Sequence, residues 1–298
     1  MGSFRTSIVC SIAPTPQWLK KRIVATSDLY TTKTILKELD VDTVCESALC
    51  PNLNECFSRK FATFLILGDV CTRGCGFCSV ERGVPSYADS DEAGKIFRAV
   101  RKLNLKHVVI TSVTRDDLED GGALKFANIT KAIKEYSQGI KVELLIPDFN
   151  GSAASLMKVL AASPDIIGHN IETVKRLYTR VRRGADYERS LALLRFIKGI
   201  KPDQLTKSGL MVGLGEAESE IRETIRDIRG TGCDILTIGQ YLRPRRVNLA
   251  VERFVAPDEF ERYKRFAGAM GFKHVAAGPF VRSSNGGCYD KCNTAAVG

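Results

Sequence analysis

Phe61-Ala-Thr-Phe-Leu-Ile-Leu-Gly-Asp69 is a nearly continuous apolar run that closes on Gly-Asp, and one residue later the chain enters Cys71-Thr-Arg-Gly-Cys75-Gly-Phe-Cys78. A run of that length bounded by glycine reads as a strand buried on both faces, the kind found in a parallel sheet. It delivers three thiols, in a glycine-rich loop, to its C-terminal end. From there the chain alternates short β-branched runs with longer amphipathic stretches. Strands are expected at 61–69, 107–113, 141–148, 165–170, 208–214 and 235–241, and helices at 91–103, 123–136, 152–162, 173–181, 187–198 and 218–229. One strand and one helix per unit, six times, predicts an α/β fold, a partial (β/α)6 barrel. It would occupy residues 61–249, with an N-terminal extension over 1–60 and a C-terminal extension over 250–298 that adds a helix, a short strand and a Gly-rich tail.

Chemistry in such barrels sits at the C-terminal ends of the strands. Those ends are polar here: Gly68-Asp69, Ser112 through Asp117, Pro147-Asp148, His169-Asn170-Ile171-Glu172, Gly213 through Glu216 and Gly239-Gln240-Tyr241. With 298 residues and 44% hydrophobic content the chain can bury a full core. It contains no apolar run of about 18 residues, so a membrane-spanning helix is not expected. A formal charge of +10 favours an anionic partner or a generally basic surface. Ten cysteines without an export signal point to a reducing compartment, with cytoplasm the default.

Six of those cysteines fall between Cys45 and Cys78. Cys71, Cys75 and Cys78 suit a [4Fe–4S] cluster, in which three thiolates leave the fourth iron open to a ligand. A zinc site completed by a distant residue is the competing reading. Cys45-Glu-Ser-Ala-Leu-Cys50-Pro-Asn-Leu-Asn-Glu-Cys56 is a second thiol triad, which reads as a second cluster in want of a fourth ligand or as three buried structural cysteines. The histidines His107, His169 and His274 are scattered and suggest no histidine-centred site.

The C-x3-C-x2-C loop, with an aromatic residue before its last cysteine, resembles the signature of the radical S-adenosylmethionine (SAM) superfamily. The resemblance implies that the open iron binds SAM, that reduction yields a 5′-deoxyadenosyl radical, and that Phe77 lies beside the adenine. Among the strand-end groups, Arg115, Asp117, Glu143, Asn170 and Glu172 are the candidate SAM contacts.

The pairing of both thiol groups is similar to the lipoyl synthase family. The match runs from about Trp18 to Ser284 and includes Thr111-Ser-Val-Thr-Arg-Asp-Asp-Leu, Pro147-Asp-Phe, His169-Asn-Ile-Glu-Thr-Val, Gly213-Leu-Gly-Glu and Gly239-Gln-Tyr-Leu. This resemblance implies a sulfurtransferase with two [4Fe–4S] clusters. The auxiliary one would be held by Cys45, Cys50, Cys56 and a serine of Arg282-Ser283-Ser284, with Ser284 preferred and Ser283 the alternative. Asn285 stands where the family has tyrosine, and Cys288 and Cys292 follow as rival ligands. The implied substrate is an octanoyl-lysyl group on a lipoyl carrier domain of a 2-oxoacid dehydrogenase or of glycine cleavage. Two sulfurs would enter at C6 and C8 from the sacrificed auxiliary cluster. Implied partners are an electron donor and an iron–sulfur carrier for repair, with neither nucleic acid nor membrane. Lys207, Arg243 and Arg245 are candidates to meet an acidic carrier. The rivals are a radical SAM methylthiotransferase acting on transfer RNA and a non-catalytic protein with two closed metal sites.

Overall fold

The computed structural model describes residues 14–21, 25–86 and 91–284. Among the described residues a 3-10 turn at Gln17–Leu19 is followed by three helices, α1 (Ser27–Glu38), α2 (Val44–Ser47) and α3 (Leu53–Ser58). Thr26 caps α1 through the Leu29 amide and Thr43 caps α2 through the Glu46 amide, each satisfying a backbone donor that the helix start leaves unpaired. Leu29, Leu36, Val41 and Phe57 from this region join the main core. The extension is therefore packed against the barrel.

In chain order there follow β1 (Thr63–Ile66), the two-residue strands β2 (Val70–Cys71) and β3 (Glu81–Arg82), α4 (Glu92–Lys102), β4 (His107–Ser112), α5 (Ala123–Tyr136), β5 (Lys141–Leu145), α6 (Ala153–Ala161), β6 (Ile166–Gly168), α7 (Tyr178–Val181), α8 (Tyr187–Ile200), β7 (Leu205–Val212), α9 (Glu218–Gly230), β8 (Ile235–Gln240), α10 (Pro257–Ala269) and β9 (His274–Gly278). The main sheet is parallel throughout, in the order β1-β4-β5-β6-β7-β8-β9. The six expected strands are all present, and the short strand of the C-terminal extension extends the same sheet as its seventh member. Thr43 bridges antiparallel to Phe64 beside the β1 edge.

Three local expectations change. β1 is shorter than its apolar run because Leu67 and Gly68 turn to φ 70° and 84°. β7 starts at Leu205, three residues early, because Thr206 and Lys207 are strand residues buried in the interior. The span 173–181 is not one α-helix: a 3-10 turn at Lys175–Leu177 leads into the four-residue α7.

One hydrogen bond reports the curl of the sheet. Thr63 of β1 donates to the Ser284 carbonyl at 2.9 Å, although Ser284 comes only a few residues after β9 at the other edge. Laid flat, seven strands would hold their edges about 29 Å apart. Six extended residues beyond Gly278 reach at most about 20 Å. The sheet is therefore rolled into a partial barrel, and residues 279–284 cross its interior from edge to edge. The inner faces of β7 and β8 make room with glycines: a Cβ on Gly239 would collide with the Val281 carbonyl, and one on Gly209 would lie 3.0 Å from the Ser283 Cβ.

Candidate cluster and substrate site

The first thiol loop runs from β2 to β3, and its backbone is tied down on every side. The Thr72 amide donates to the Thr114 carbonyl at 3.0 Å, Gly76 donates to Val181 at 2.8 Å, and Leu249 donates to Gly76 at 3.0 Å. Gly76 has to be glycine, since a Cβ there would meet the Leu249 side chain at 2.9 Å and the Arg180 carbonyl at 3.1 Å. Backbone amides of Arg73 and Thr114 lie 3.4 Å from the Cys71 sulfur. Such N–H···S contacts stabilise a metal-bound thiolate and adjust cluster potential.

Arg73, between the first two cysteines, is the principal anchor of the loop. Its guanidinium pairs with Asp116 at 2.7 and 2.8 Å and with Asp148 at 2.8 and 3.0 Å, and also reaches Asn150 at 2.7 Å. It thereby bolts the loop to the ends of β4 and β5. Burial raises the Asp148 carboxyl, but hydrogen bonds and charge from Arg73 outweigh it and hold that group well below the usual carboxylate range. Sequence reading passed over Arg73 because its acidic partners lie 43 and 75 residues downstream.

The second thiol group sits on α2, α3 and the turn between them. Ser79, next to Cys78, donates to the Ser47 carbonyl at 2.7 Å and so joins the two cysteine segments directly. The crossing segment completes the arrangement. Asn52 donates to the Phe280 carbonyl at 2.7 Å, and Thr63, which hydrogen-bonds the Cys45 sulfur, also holds Ser284. Ser283 points the other way, accepting from the Asn170 amide at 2.7 Å.

These elements enclose a cavity of about 400 Å³. Cys45 and Cys50 face it from one side and Cys78 with Phe77 from another; Asn170, Glu172, Arg282, Ser283 and Ser284 also line it. An apolar wall is supplied by Leu145, Leu210 and Met211. Glu172 adopts a left-handed φ of 69° that only tertiary contacts can enforce in a non-glycine residue, and its backbone is clamped by Gly209 and Met211 at 2.9 Å each. Burial raises its carboxyl, with Arg182 and Asn170 pulling the other way.

The donor set fits iron–sulfur clusters. Burial pushes the Cys45 and Cys78 thiols up to about 11, and those of Cys56 and Cys75 up to about 12, so each is protonated at neutral pH unless a metal replaces the proton. Among the described residues no three His, Cys, Asp or Glu side chains converge on the point that one ion would occupy. A cubane asks instead for one thiolate at each of several irons. Asn170 Oδ1 is a buried acceptor without a hydrogen-bond partner in the cavity wall, as befits a group that receives a polar ligand. Cys233 is different, wholly buried under β7 and β8 with its sulfur against the Thr206 and Ile235 carbonyls.

Three of the expected SAM contacts lie elsewhere. Arg115 pairs with Asp117 at 2.8 Å and donates to the Leu67 carbonyl at 3.1 Å, and both residues line a separate cleft with Phe149 and Asn150. Glu143 is sealed in the barrel interior against Lys207 at 2.6 Å and His107 at 3.2 Å. Lys207 is only 1% exposed, so it does not meet a carrier. Cys288, Cys292 and Asn285 lie outside the described residues.

A parallel sheet curled around a three-cysteine loop at its catalytic end defines the radical SAM class, and residues 65–228 match the Radical SAM superfamily model. Solved structures agree at the level of fold: methylornithine synthase at a TM-score of 0.53 and 15% identity, covering 77% of this chain and 75% of that one, and Streptococcus suis SuiB bound to its precursor peptide at 0.57 and 11%, covering 84% and 52%. The lipoyl synthase of Caldicellulosiruptor saccharolyticus is 54% identical over 269 residues, covering 90% of this chain and 94% of that protein. The lipoyl synthase of Caldanaerobacter subterraneus subsp. tengcongensis is 52% identical over the same shares. The chain belongs to the lipoyl synthase family of radical SAM enzymes.

Proposed function

We propose that this chain inserts two sulfur atoms, at C6 and C8, into an octanoyl group held in amide linkage on a lysine of a carrier domain. The observation that carries the reading is the meeting of cysteines from both thiol triads, Cys45 and Cys50 with Cys78, and the crossing segment 281–284 on one cavity. Alkane carbons have no useful acidity, so no acid or base in the site could open those C–H bonds. SAM and a reduced cluster, when bound, supply a carbon radical able to take hydrogen from an alkane, and a second cluster supplies the sulfide.

The residues then divide the work by position. Cys71, Cys75 and Cys78 would hold the first cluster, and Cys45, Cys50, Cys56 and Ser284 the second. A serine oxygen is a harder and weaker iron ligand than a thiolate, which suits a cluster that is to be dismantled. Asn170 offers its free Oδ1, and Glu172 its carboxylate, to the polar part of SAM, while Phe77 presents its ring from the loop end. Leu145, Leu210 and Met211 give the acyl chain an apolar wall that keeps water from the reacting carbons. Arg73 holds the loop in register with the strand ends, since an error of an ångström at the radical centre is costly.

The carrier is a lipoyl-type domain, and the electron donor and iron–sulfur repair carrier are separate proteins of the cytoplasm. No described helix is long and apolar enough to cross a membrane. The test is anaerobic. Protein loaded with iron and sulfide is given SAM, a reductant and an octanoyl-lysyl peptide, and the peptide is followed by mass spectrometry. Gain of two sulfur atoms with 5′-deoxyadenosine is the expected result; 5′-deoxyadenosine with no sulfur gained means another substrate.

A further inference from the structure

We infer that the loop Arg243-Pro-Arg-Arg-Val247 is the docking rim for the folded carrier domain, and that it recognises an acidic surface flanking the octanoyl-lysine. The inference rests on the functional reading above and goes on to name the surface that selects the partner. Arg243 and Pro244 line the cavity, immediately after the cavity residues Tyr241 and Leu242. Just past the loop, Asn248 donates to the Cys78 carbonyl at 2.7 Å and Leu249 donates to Gly76 at 3.0 Å. The loop therefore starts in the cavity wall and ends on the first cluster loop. It stands at the mouth.

Its conformation is held from within. Arg243 spends its guanidinium on the carbonyls of Arg245, at 3.2 Å, and Arg246. Arg245, Arg246 and Val247 are left exposed, Val247 at 90%. Among the described residues neither Arg245 nor Arg246 makes an ion pair, whereas Arg180 and Arg253 nearby are matched to Glu252 and Glu259. Two unmatched guanidiniums beside an exposed valine make a basic, partly apolar rim. Leu49, 49% exposed, adds an apolar residue from the other cysteine segment, where it also lines the cavity.

The occupant follows from the geometry of the reaction. An acyl-lysine arm has fixed reach, so the body that carries it comes to rest on the rim while the chain end reaches the clusters. Arg245 and Arg246, which lie outside the cavity lining, touch the carrier and not the octanoyl chain. Unpaired rim arginines act mainly on encounter rate and on choice of partner, and salt weakens them. A short peptide with the same octanoyl-lysine presents the arm without the surface.

The experiment compares two substrates on cluster-loaded protein: a folded octanoylated carrier domain with an acidic surface and a short neutral octanoyl-lysyl peptide. The variants are Arg245→Glu with Arg246→Glu together, and Lys106→Glu as control. Lys106 is exposed and immediately precedes β4, at the opposite end of the barrel. The double reversal is expected to lower kcat/KM for the domain about tenfold or more at low salt, with the difference shrinking as salt rises, and to leave the peptide within about twofold. Lys106→Glu leaves both unchanged. Equal losses on domain and peptide, or none on either, overturn the assignment. So does a double variant that loses affinity for single-stranded RNA while its turnover of the domain is intact. If the wild-type protein adds no sulfur to either substrate, the functional reading itself fails, and the docking assignment with it.

Discussion

Asn170 donates its side-chain amide to the Ser283 hydroxyl at 2.7 Å, across a sequence separation of 113 residues. That bond turns Ser283 toward the end of β6. Its neighbour Ser284 is held instead by Thr63, which also contacts the Cys45 sulfur. The two serines therefore meet different groups, and single substitutions test whether their roles differ. Ser284→Ala is expected to lose the auxiliary cluster, cutting bound iron and sulfide by about half while the SAM-responsive electron paramagnetic resonance signal remains. Ser283→Ala keeps the iron and weakens turnover through Asn170. The reverse pattern would place the ligand on Ser283.

Gly239 offers a backbone route to the same cluster. A methyl group there collides with the Val281 carbonyl, and the crossing segment has no slack because Thr63 and Asn52 hold it on the far side. Gly239→Ala is expected to displace residues 281–284, so the auxiliary cluster is lost while the first one binds. Ser208 sits on neighbouring β7 with a buried hydroxyl. Ser208→Ala, which adds no atom, serves as the comparison and keeps both clusters, as iron analysis will show.

How far these relationships were legible beforehand depends on their range. Strand and helix positions came through because hydrophobic periodicity is local, and the cysteine loops because their ligands are three to six residues apart. Lys207 was misplaced for the opposite reason: its partner Glu143 is 64 residues away, so nothing local distinguishes a lysine sealed in a barrel from one on a rim. Arg115 and Asp117 were read as ligand contacts because they follow a strand, yet they neutralise each other two residues apart. The role of the tail as a strap across the barrel was invisible. Only the roll of the sheet brings Ser284 to Thr63.

Arg73 tests the anchoring of the first cluster loop. Its side chain is 6% exposed and that of Asp148 is fully buried, so deleting the cation leaves a buried carboxylate to its other ion-pair partner, Arg189 at 2.8 Å. Arg73→Ala is expected to cost about 1.5–3 kcal/mol of stability, read as a lowered denaturation midpoint, and to reduce iron uptake by the first loop. Arg73→Lys keeps the charge but cannot reproduce the fork onto two carboxylates, and falls between. Because the Asp148 carboxyl lies below its ordinary value of 3.8, the stability from this pair is fully present above that pH. It is lost as pH falls through the folded value. Asp148→Asn should be less stable than wild type at neutral pH, where the pair's stability goes with the carboxylate, and should show a flatter acid limb below about pH 4.

His169 governs a higher window. Its Nδ1 faces the Ile146 carbonyl at 2.9 Å and its Nε2 faces the Arg182 guanidinium at 3.4 Å, so the imidazole is a donor on one side and an acceptor on the other. Complete burial, followed by the Arg182 charge, lowers it from 6.5 to about 3. The folded chain thus declines a proton that the unfolded chain accepts below its ordinary value. Stability is therefore highest above pH 6.5 and falls as pH drops toward 3, with a slope of one proton from this residue. Urea midpoints between pH 7 and pH 4 will show it: wild type declines across the window, and His169→Gln, though less stable throughout, declines less steeply. Parallel declines would mean that His169 is protonated in the fold and that Arg182 has moved away from it.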